Sequence, residues 1–230
     1  MRNPWLRLPD HPPYELEDDR IAVSEFNAKA PPRFRLETCL YPEPYFGNPQ
    51  APVVLLLLNP GVADADFKTH KDKPFGRLAR ASLSHALSPH PFLHLNPSPI
   101  LSNAPGAHWW RRKTRVLREL VDPAGDFQFA NQLLCLELYP YHSKKFGGPR
   151  FTLPSQGYTF HLLDRAIERN AVVVVMRAWT RWTEAVSRLE RYSPDRLWRI
   201  KSPQNPALSP ANLGEANFEK LVAILRQRSN

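Results

Sequence analysis

VVLLLLNPGV, residues 53–62, is the stretch that decides the fold of this chain. Its first six residues are aliphatic and do not alternate with polar residues, which is typical of a strand that is covered on both faces. Asn59, Pro60 and Gly61 follow at once and favour a turn. The stretch therefore predicts a central parallel strand, residues 52–58, which delivers an asparagine to the edge of a sheet.

The rest of the chain continues the alternation of strand and helix. Further strands are predicted within residues 127–140 and at residues 171–176 and 195–200. Helices are predicted over residues 20–29, 76–87, 109–121, 158–170, 178–192 and 215–228. This order predicts an α/β fold with three layers, α/β/α, around a central, mostly parallel four-stranded sheet.

Proline is unusually frequent, with 25 prolines against 9 glycines in 230 residues. Such a composition favours stiff irregular segments over flexible linkers. Residues 1–50 are interrupted by proline throughout, and we interpret them as an N-terminal wrap. Residues 51–230 are then predicted to form a single domain, because their length suits one substantial core.

The charge of the chain favours a polyanionic partner. The formal net charge is +9, and basic residues alternate with aromatic ones in HWWRRKTR (108–115) and RAWTRW (177–182). Nucleic acid is the commonest polyanion that soluble basic proteins bind, so nucleic acid is the predicted partner. A generally basic surface without a specific partner is the alternative explanation.

Cysteine content and hydropathy narrow the class further. The chain has two cysteines and no CxxC pair, which argues against a zinc site, an iron–sulfur cluster or a disulfide framework. No stretch reaches the length of a membrane span, and the first ten residues lack the apolar core of a signal peptide. We therefore expect a cytoplasmic protein without a membrane, metal, cofactor or obligatory protein partner.

Polar, turn-forming segments follow three of the four predicted strands. They are NPG (59–61), ELYPYHS (137–143) and KSPQNP (201–206). In sheets of this type, ligand sites collect outside the carboxyl ends of the strands. The candidate site is therefore expected where these three segments meet.

Together, these strand ends resemble the uracil-DNA glycosylase superfamily, most closely its mismatch-specific and single-strand-selective branches. LLNPG (57–61) resembles the Gly-hydrophobic-Asn-Pro-Gly motif of those proteins, and KPFG (73–76) resembles the Pro-Phe-Gly that carries a base-stacking aromatic. SPQNPALSP (202–210) is similar to the Ser-Pro-Arg-Asn-Pro part of the motif that opens the loop entering DNA. The resemblance covers about residues 45–228.

The sequence departs from the family pattern in three respects. Ile200 and Lys201 stand where the family has His-Pro, so the histidine that assists the leaving base is missing. Glu137 lies near the position where many members use an asparagine to read uracil. The four cysteines of the iron–sulfur branch are absent, which excludes that branch.

The resemblance implies a monofunctional DNA glycosylase, which hydrolyses the N-glycosidic bond of a damaged or modified base flipped out of DNA. Asn59 is the predicted catalytic residue, because its side-chain carbonyl can position a water molecule. An Asx-turn before Pro60 is the structural alternative. Asp64, in a segment that also holds Asp66, is a second catalytic candidate, although a surface or helix-capping role explains either carboxylate as well.

The remaining candidates fall into two groups. The predicted base-binding residues are Pro60, Gly61, Phe75, Glu137, Tyr139 and His142. Phe75 would stack on the base, which contributes about 1–3 kcal/mol. Glu137 would read an N–H group of a base other than ordinary uracil or, alternatively, pair with an arginine. His142 would replace the missing histidine unless it is merely structural.

The predicted DNA-binding residues are Arg111, Arg112, Lys113, Ser202, Gln204, Asn205 and Leu208. The basic trio would contact phosphates, although a solvated helix face explains it equally. In the loop of residues 202–210, Leu208 would enter the vacated base stack. A rigid proline-rich connection is the alternative for that loop.

Two other functions stay open. The missing histidine and Glu137 favour a glycosylase-like DNA-binding protein without catalysis, whose DNA affinity would be strongly salt-sensitive. Hydrolysis of free nucleosides or nucleotides is the third possibility, and it would not require Leu208.

Overall fold

The computed structural model describes residues 1–125, 127–149 and 151–226, and a mixed five-stranded sheet forms its centre. The strands are β1 (Tyr45–Gly47), β2 (Val53–Leu57), β3 (Leu133–Glu137), β4 (Val172–Val175) and β5 (Leu197–Arg199). Their order is β1-β3-β2-β4-β5, with β1 antiparallel and the others parallel. The α/β class is confirmed, whereas the expected count of four strands is wrong.

The central strand β2 has the burial that its sequence predicts. All five of its residues are buried, as are all residues of β3 and β4. Val53 lies opposite Leu133 on one side and opposite Val172 on the other, so β2 is hydrogen-bonded along both edges. Since successive side chains point to opposite faces, both faces of the sheet are covered.

The extra strand β1 comes from the segment interpreted as an N-terminal wrap. Tyr45, Phe46 and Gly47 pair with Leu136, Cys135 and Leu134 of β3. Three residues directly after Pro44 are too few to show a strand pattern, which explains why β1 was not predicted. Residues 1–50 therefore contribute to the sheet itself.

The helices largely lie where the sequence predicts them. They are α1 (Arg20–Lys29), α2 (Asp64–Thr69), α3 (Lys73–Leu83), α4 (Pro105–Lys113), α5 (Arg115–Val121), α6 (Gln156–Glu168), α7 (Trp179–Ala185), α8 (Pro210–Leu213) and α9 (Glu215–Arg226). The single helix predicted over residues 109–121 is wrong, because the chain breaks at Thr114 between α4 and α5. The helix predicted over residues 178–192 ends at Ala185 and is followed by a 3₁₀ turn.

Hydrogen bonds fix the segment that leaves β2 at its carboxyl end. The indole Nε1 of Trp182 donates to the carbonyl of Leu57 at 2.6 Å. The amides of Tyr139 and Ser143 donate to the carbonyls of Leu58 and Pro60 at 2.9 and 3.2 Å. The loops after β2 and β3 are thereby held side by side, which places their side chains at one edge of the sheet.

Within the described ranges, no helix combines the length and the apolar character that crossing a membrane requires.

Gly47, at the end of β1, has a backbone conformation that other residues adopt only with strain. Its φ is +110°, and a Cβ there would lie 2.2 Å from the carbonyl oxygen of Leu133. We expect Gly47→Ala to lower the free energy of unfolding by about 2–3 kcal/mol, measured by urea denaturation. Gly61→Ala is the matched control, because a Cβ there meets no atom within 4 Å. Equal stability of the two variants would contradict the strain argument.

Candidate active site

A cavity of about 220 Å³ opens at the carboxyl ends of β2, β3 and β4. This volume is below the roughly 300–1,000 Å³ typical of small-molecule sites, so the cavity suits a single ring system. Its lining combines acidic, aromatic and basic side chains: Glu43, Phe46, Leu57, Asn59, Pro60, Gly61, Val62, Ala63, Asp66, His94, Pro105, Gly106, Trp109, Trp110, Glu137, His142 and Arg177. Its place in the fold is where parallel α/β sheets bind ligands.

Asn59 lies in this lining with a defined amide orientation. Its side-chain Nδ2 donates to the carbonyl of Pro60 at 3.0 Å and to Oγ of Ser143 at 2.9 Å. A carbonyl oxygen only accepts, so the group beside Pro60 is the NH₂. The Oδ1 atom has no hydrogen-bond partner within the described part of the chain, which leaves a fixed acceptor available at the cavity.

Glu43, just before β1, is a buried and ionised carboxylate of the lining. Its Oε2 lies 2.9 Å from Nε2 of His94. Burial alone would raise the pKa of Glu43, but His94, His142 and His70 outweigh burial and lower this pKa to about 2. Glu43 therefore carries its negative charge at neutral pH although it is buried.

His142 and His70 form the inner wall behind Glu43. His142 has its Nδ1 2.7 Å from the carbonyl of Gly61 and its Nε2 3.1 Å from the carbonyl of Tyr41. His70 accepts the backbone N–H of Tyr41 at Nδ1, 3.0 Å away. Burial, followed by the neighbouring His142, lowers the pKa of His70 to about 3, so this ring is neutral.

Glu43, His70 and His142 also offer metal-ligand atoms within 4.8 Å of one another. The hydrogen bonds around them do not fit a metal. The Nδ1 lone pair of His70 is already used by the N–H of Tyr41, which puts the ring proton on Nε2. Both nitrogens of His142 face carbonyl oxygens, which call for N–H donors. The cluster is better suited to hold protons than a cation.

Glu137, the last residue of β3, is the second buried carboxyl group of the cavity. Burial raises its pKa well above the usual range, Glu43 adds to this effect, and Arg177 only partly opposes it. The pKa shift of Glu137 thus favours its neutral form, whereas the pKa shift of Glu43 favours its charged form. Two carboxyl groups with opposite protonation in one cavity are a common arrangement in acid–base catalysis.

Aromatic side chains from α4 form another wall. Trp109 is half-buried in the lining, and its ring centroid lies 4.9 Å from that of Trp110. Arg177 has its guanidinium carbon 5.9 Å from the Trp109 centroid. The close approach of α4 depends on Gly106, since a Cβ there would lie 2.4 Å from the His94 ring.

Most of the predicted base-binding residues lie in this lining. The structure brings together Asn59, Pro60, Gly61, Glu137 and His142. These residues come from the end of β3 and from the loops that follow β2 and β3.

Phe75 and Tyr139 do not lie in the cavity, so their predicted places are corrected. Phe75 is 1% exposed and packs in α3 against Tyr41 and His70. The Tyr139 hydroxyl donates to the carbonyl of Pro149 at 2.9 Å and is buried. A base cannot stack on either ring without rearrangement of the core, and Trp109 is the aromatic that the cavity presents instead.

The two aspartates after β2 have different environments. Asp64 has a side chain that is 93% exposed, lies 3.4 Å from Nζ of Lys144 and is outside the cavity lining. Asp66 is buried in the lining and accepts the Ala63 N–H at 2.7 Å. Burial raises the pKa of Asp66. Of the two, Asp66 is thus the carboxyl group at the site, and the catalytic placement of Asp64 is corrected.

The loop of residues 202–210 is pinned to the body of the protein. Leu208 is fully buried, and its amide donates to the carbonyl of Lys113 at 2.8 Å. Asn212 donates from Nδ2 to the carbonyls of both Asn205 and Ala207 at 2.9 Å. In this conformation, the Leu208 side chain is therefore not available to enter a base stack. Ser202 is half-buried in the same loop, and Gln204 is exposed.

The three basic residues at the end of α4 also differ in their exposure. Arg112 is exposed, and Arg111 is half-buried with its Nη1 3.3 Å from the carbonyl of Ser102. Lys113 is buried, and its Nζ donates to Oδ1 of Asn205 at 2.5 Å. Lys113 therefore links α4 to the loop of residues 202–210 and is not free to contact a phosphate.

The lining residues that the sequence did not predict as site residues include Glu43, His94, Trp109, Arg177 and Asp66, of which Asp66 was named only beside the reserve candidate Asp64. Trp109 and Arg177 belong to the basic–aromatic stretches that were noted for charge alone. Glu43 and His94 lie in proline-rich segments without helix or strand periodicity, so no sequence signal placed them.

No family model, no curated protein and no solved structure matches this chain.

The buried histidine predicts a loss of stability in acid. Unfolded His70 takes up a proton near pH 6.5, whereas folded His70 resists until about pH 3. Its contribution is therefore complete above pH 6.5 and falls by on the order of 5 kcal/mol toward pH 3. Glu43 acts in a lower window, because its stabilisation is complete above pH 4.5 and is lost toward pH 2.

Urea unfolding of the wild type and His70→Asn between pH 7 and pH 4 measures the histidine contribution. Asparagine retains an acceptor for the N–H of Tyr41 but does not titrate. We expect a flatter dependence of the free energy of unfolding on pH in the variant. The same slope in both proteins would exclude His70 as the source.

Proposed function

We propose that this protein is a nucleic-acid N-glycosylase that hydrolyses the bond between a flipped-out base and its sugar in DNA. The main support is one arrangement: Asn59 presents an unpaired, fixed Oδ1 at a base-sized cavity that also holds a charged Glu43 and a neutral Glu137. Water, leaving base and developing positive charge each find a suited group there. The resemblance of LLNPG to the glycosylase motif agrees with this role for Asn59.

Asn59 would position the attacking water. Its NH₂ is held by Pro60 and Ser143, so the carbonyl cannot rotate without breaking two hydrogen bonds. An amide is a poor base, and its contribution is orientation rather than proton removal. Orientation suffices because the sugar is already oxocarbenium-like when water attacks. The ionised Glu43 adds negative charge to the site, which favours that cationic state.

Glu137 would assist departure of the base. A neutral carboxyl group carries one O–H donor and one acceptor, so it can donate to a nitrogen or oxygen of the leaving base. This role takes the place of the histidine that is absent at Ile200. Trp109 would supply the stacking surface that returns part of the extrusion cost, about 1–3 kcal/mol per base.

An arginine-rich groove beside the cavity suits the phosphodiester strand. It has a volume of about 330 Å³ and shares Arg177 with the cavity, and Trp179, Arg181 and Arg199 also line it. In the described ranges, none of the three arginines forms an ion pair with a carboxylate. Between Arg177 and Trp179, Ala178 adopts the left-handed conformation at φ +58°, which costs about 1–2 kcal/mol and fixes how both neighbours project.

Asn59→Ala is expected to reduce base release by at least about 100-fold, because the water loses its positioning group. DNA affinity should stay within about twofold, since Asn59 contacts no phosphate in this proposal. Single-turnover assays over oligonucleotides with damaged and modified bases measure release, and fluorescence anisotropy measures binding.

Asp64→Asn, at the start of α2, is the comparison. Its carboxylate lies outside the cavity, so we expect the wild-type rate. Normal release by Asn59→Ala would remove the basis of the proposed mechanism. Salt-sensitive DNA binding without release of any base would identify the inactive DNA-binding alternative.

Arg199→Gln is expected to weaken DNA binding and to reduce the slope of log K against log salt by about 0.9, because one phosphate contact is lost. Arg7→Gln is the matched control, since Arg7 is already paired with Asp18 at 2.8 Å. Titrations at several salt concentrations give the slopes. Equal slopes for the wild type and Arg199→Gln would exclude a phosphate contact at this groove.

A further inference from the structure

Two buried carboxyl oxygens at the cavity lack a hydrogen-bond partner. They are Oε1 of Glu43 and Oε2 of Glu137, for which no donor or acceptor is present among residues 1–125, 127–149 and 151–226. Their residues are only 6% and 5% exposed, and both line the same cavity. Since buried polar atoms are nearly always paired in folded proteins, the two unpaired oxygens leave both carboxyl groups of the cavity with unused hydrogen-bonding capacity.

The two oxygens require different partners. Oε2 of Glu43 is already paired with Nε2 of His94 at 2.9 Å, and the carboxylate is charged, so Oε1 only accepts. Nε2 of His142 lies 3.8 Å from Oε1 and is closer to the carbonyl of Tyr41, at 3.1 Å. Glu137 is neutral and offers one donor and one acceptor.

We propose that the cavity selects a base that carries an exocyclic amine, which donates to the Glu43 carboxylate, while Glu137 pairs with another polar atom of that base. This inference rests on the proposed function and specifies its substrate class. A carbonyl oxygen in place of the amine would face the Glu43 carboxylate, and two acceptors would then lie together without a proton between them. Trp109 does not discriminate, because every base has a face that stacks.

Two matched pairs of free bases test the selection without any catalysis. Cytosine carries an amine where uracil has a carbonyl oxygen, and adenine carries one where hypoxanthine has a carbonyl oxygen. The adjacent ring nitrogen accepts in the amine-bearing bases and carries a proton in their partners. We expect each amine-bearing base to bind the full-length protein at least about 10-fold more tightly than its partner, as measured by ligand-observed NMR titration. Equal affinities, a preference for the carbonyl bases, or no binding up to millimolar concentration would overturn the proposal.

Glu43→Gln and Glu137→Gln assign the selection to a residue. Glutamine at position 43 adds an N–H donor, so the preference should fall to about twofold or reverse. Glutamine at position 137 retains one donor side and one acceptor side, so the preference should remain within about threefold of wild type. Thermal unfolding checks that each variant is folded, and the base-pair comparison in wild type decides the matter if Glu43→Gln is not.

Base release from oligonucleotides separates this inference from the proposed function. Selective binding of amine bases without release of any base would leave the selection intact and contradict hydrolysis. Release of uracil or hypoxanthine at the rate of amine-bearing bases would support hydrolysis and overturn the selection.

Discussion

The double pairing of β2 is the constraint on which the rest of the structure depends. Its aliphatic residues are buried on both faces and hydrogen-bonded to β3 and β4 along both edges. A strand held in this way cannot shift in register without exposing apolar side chains or breaking two ladders. Asn59 therefore leaves the sheet at a fixed point, and the bond from Trp182 to the carbonyl of Leu57 holds that point further.

The chemistry of the cavity follows from two buried glutamates whose pKa values are shifted in opposite directions. Glu43 lies among imidazole rings, which outweigh the cost of burying its charge. Glu137 lies at the buried end of β3, where Glu43 itself disfavours a second negative charge. The charge of Glu43 thus contributes to the raised pKa of Glu137. The same low-dielectric environment that separates their pKa values makes their unpaired oxygens selective for a ligand.

The parts of the fold that the sequence predicts are those with strong local patterns. The aliphatic runs of β2 and β4 are sufficient to place buried strands. β1 was missed because three residues after a proline carry no period. Phe75 was misplaced because a motif gives the position along the chain, whereas the side of α3 that faces the core depends on tertiary packing. Leu208 was misplaced for the same reason.

The candidate site was predictable only where it continues a strand. Asn59 and Glu137 directly follow or end apolar runs, so their arrival at the sheet edge could be inferred. Glu43 and His94 reach the cavity through irregular segments whose paths depend on long-range contacts. The pairing of those two residues, rather than either residue alone, sets the charge of the cavity, and no spacing rule connects them.

The central position of β2 also has a consequence during synthesis. The two strands that pair with β2 come much later in the chain and at different distances from it, because β3 begins at Leu133 and β4 at Val172. A nascent chain therefore displays the uncharged VVLLLL segment, which has the composition of aggregation-prone strands, until both partners have left the ribosome. The strand that holds Asn59 in place in the finished protein is thus, in the growing chain, an apolar segment exposed to association with other chains.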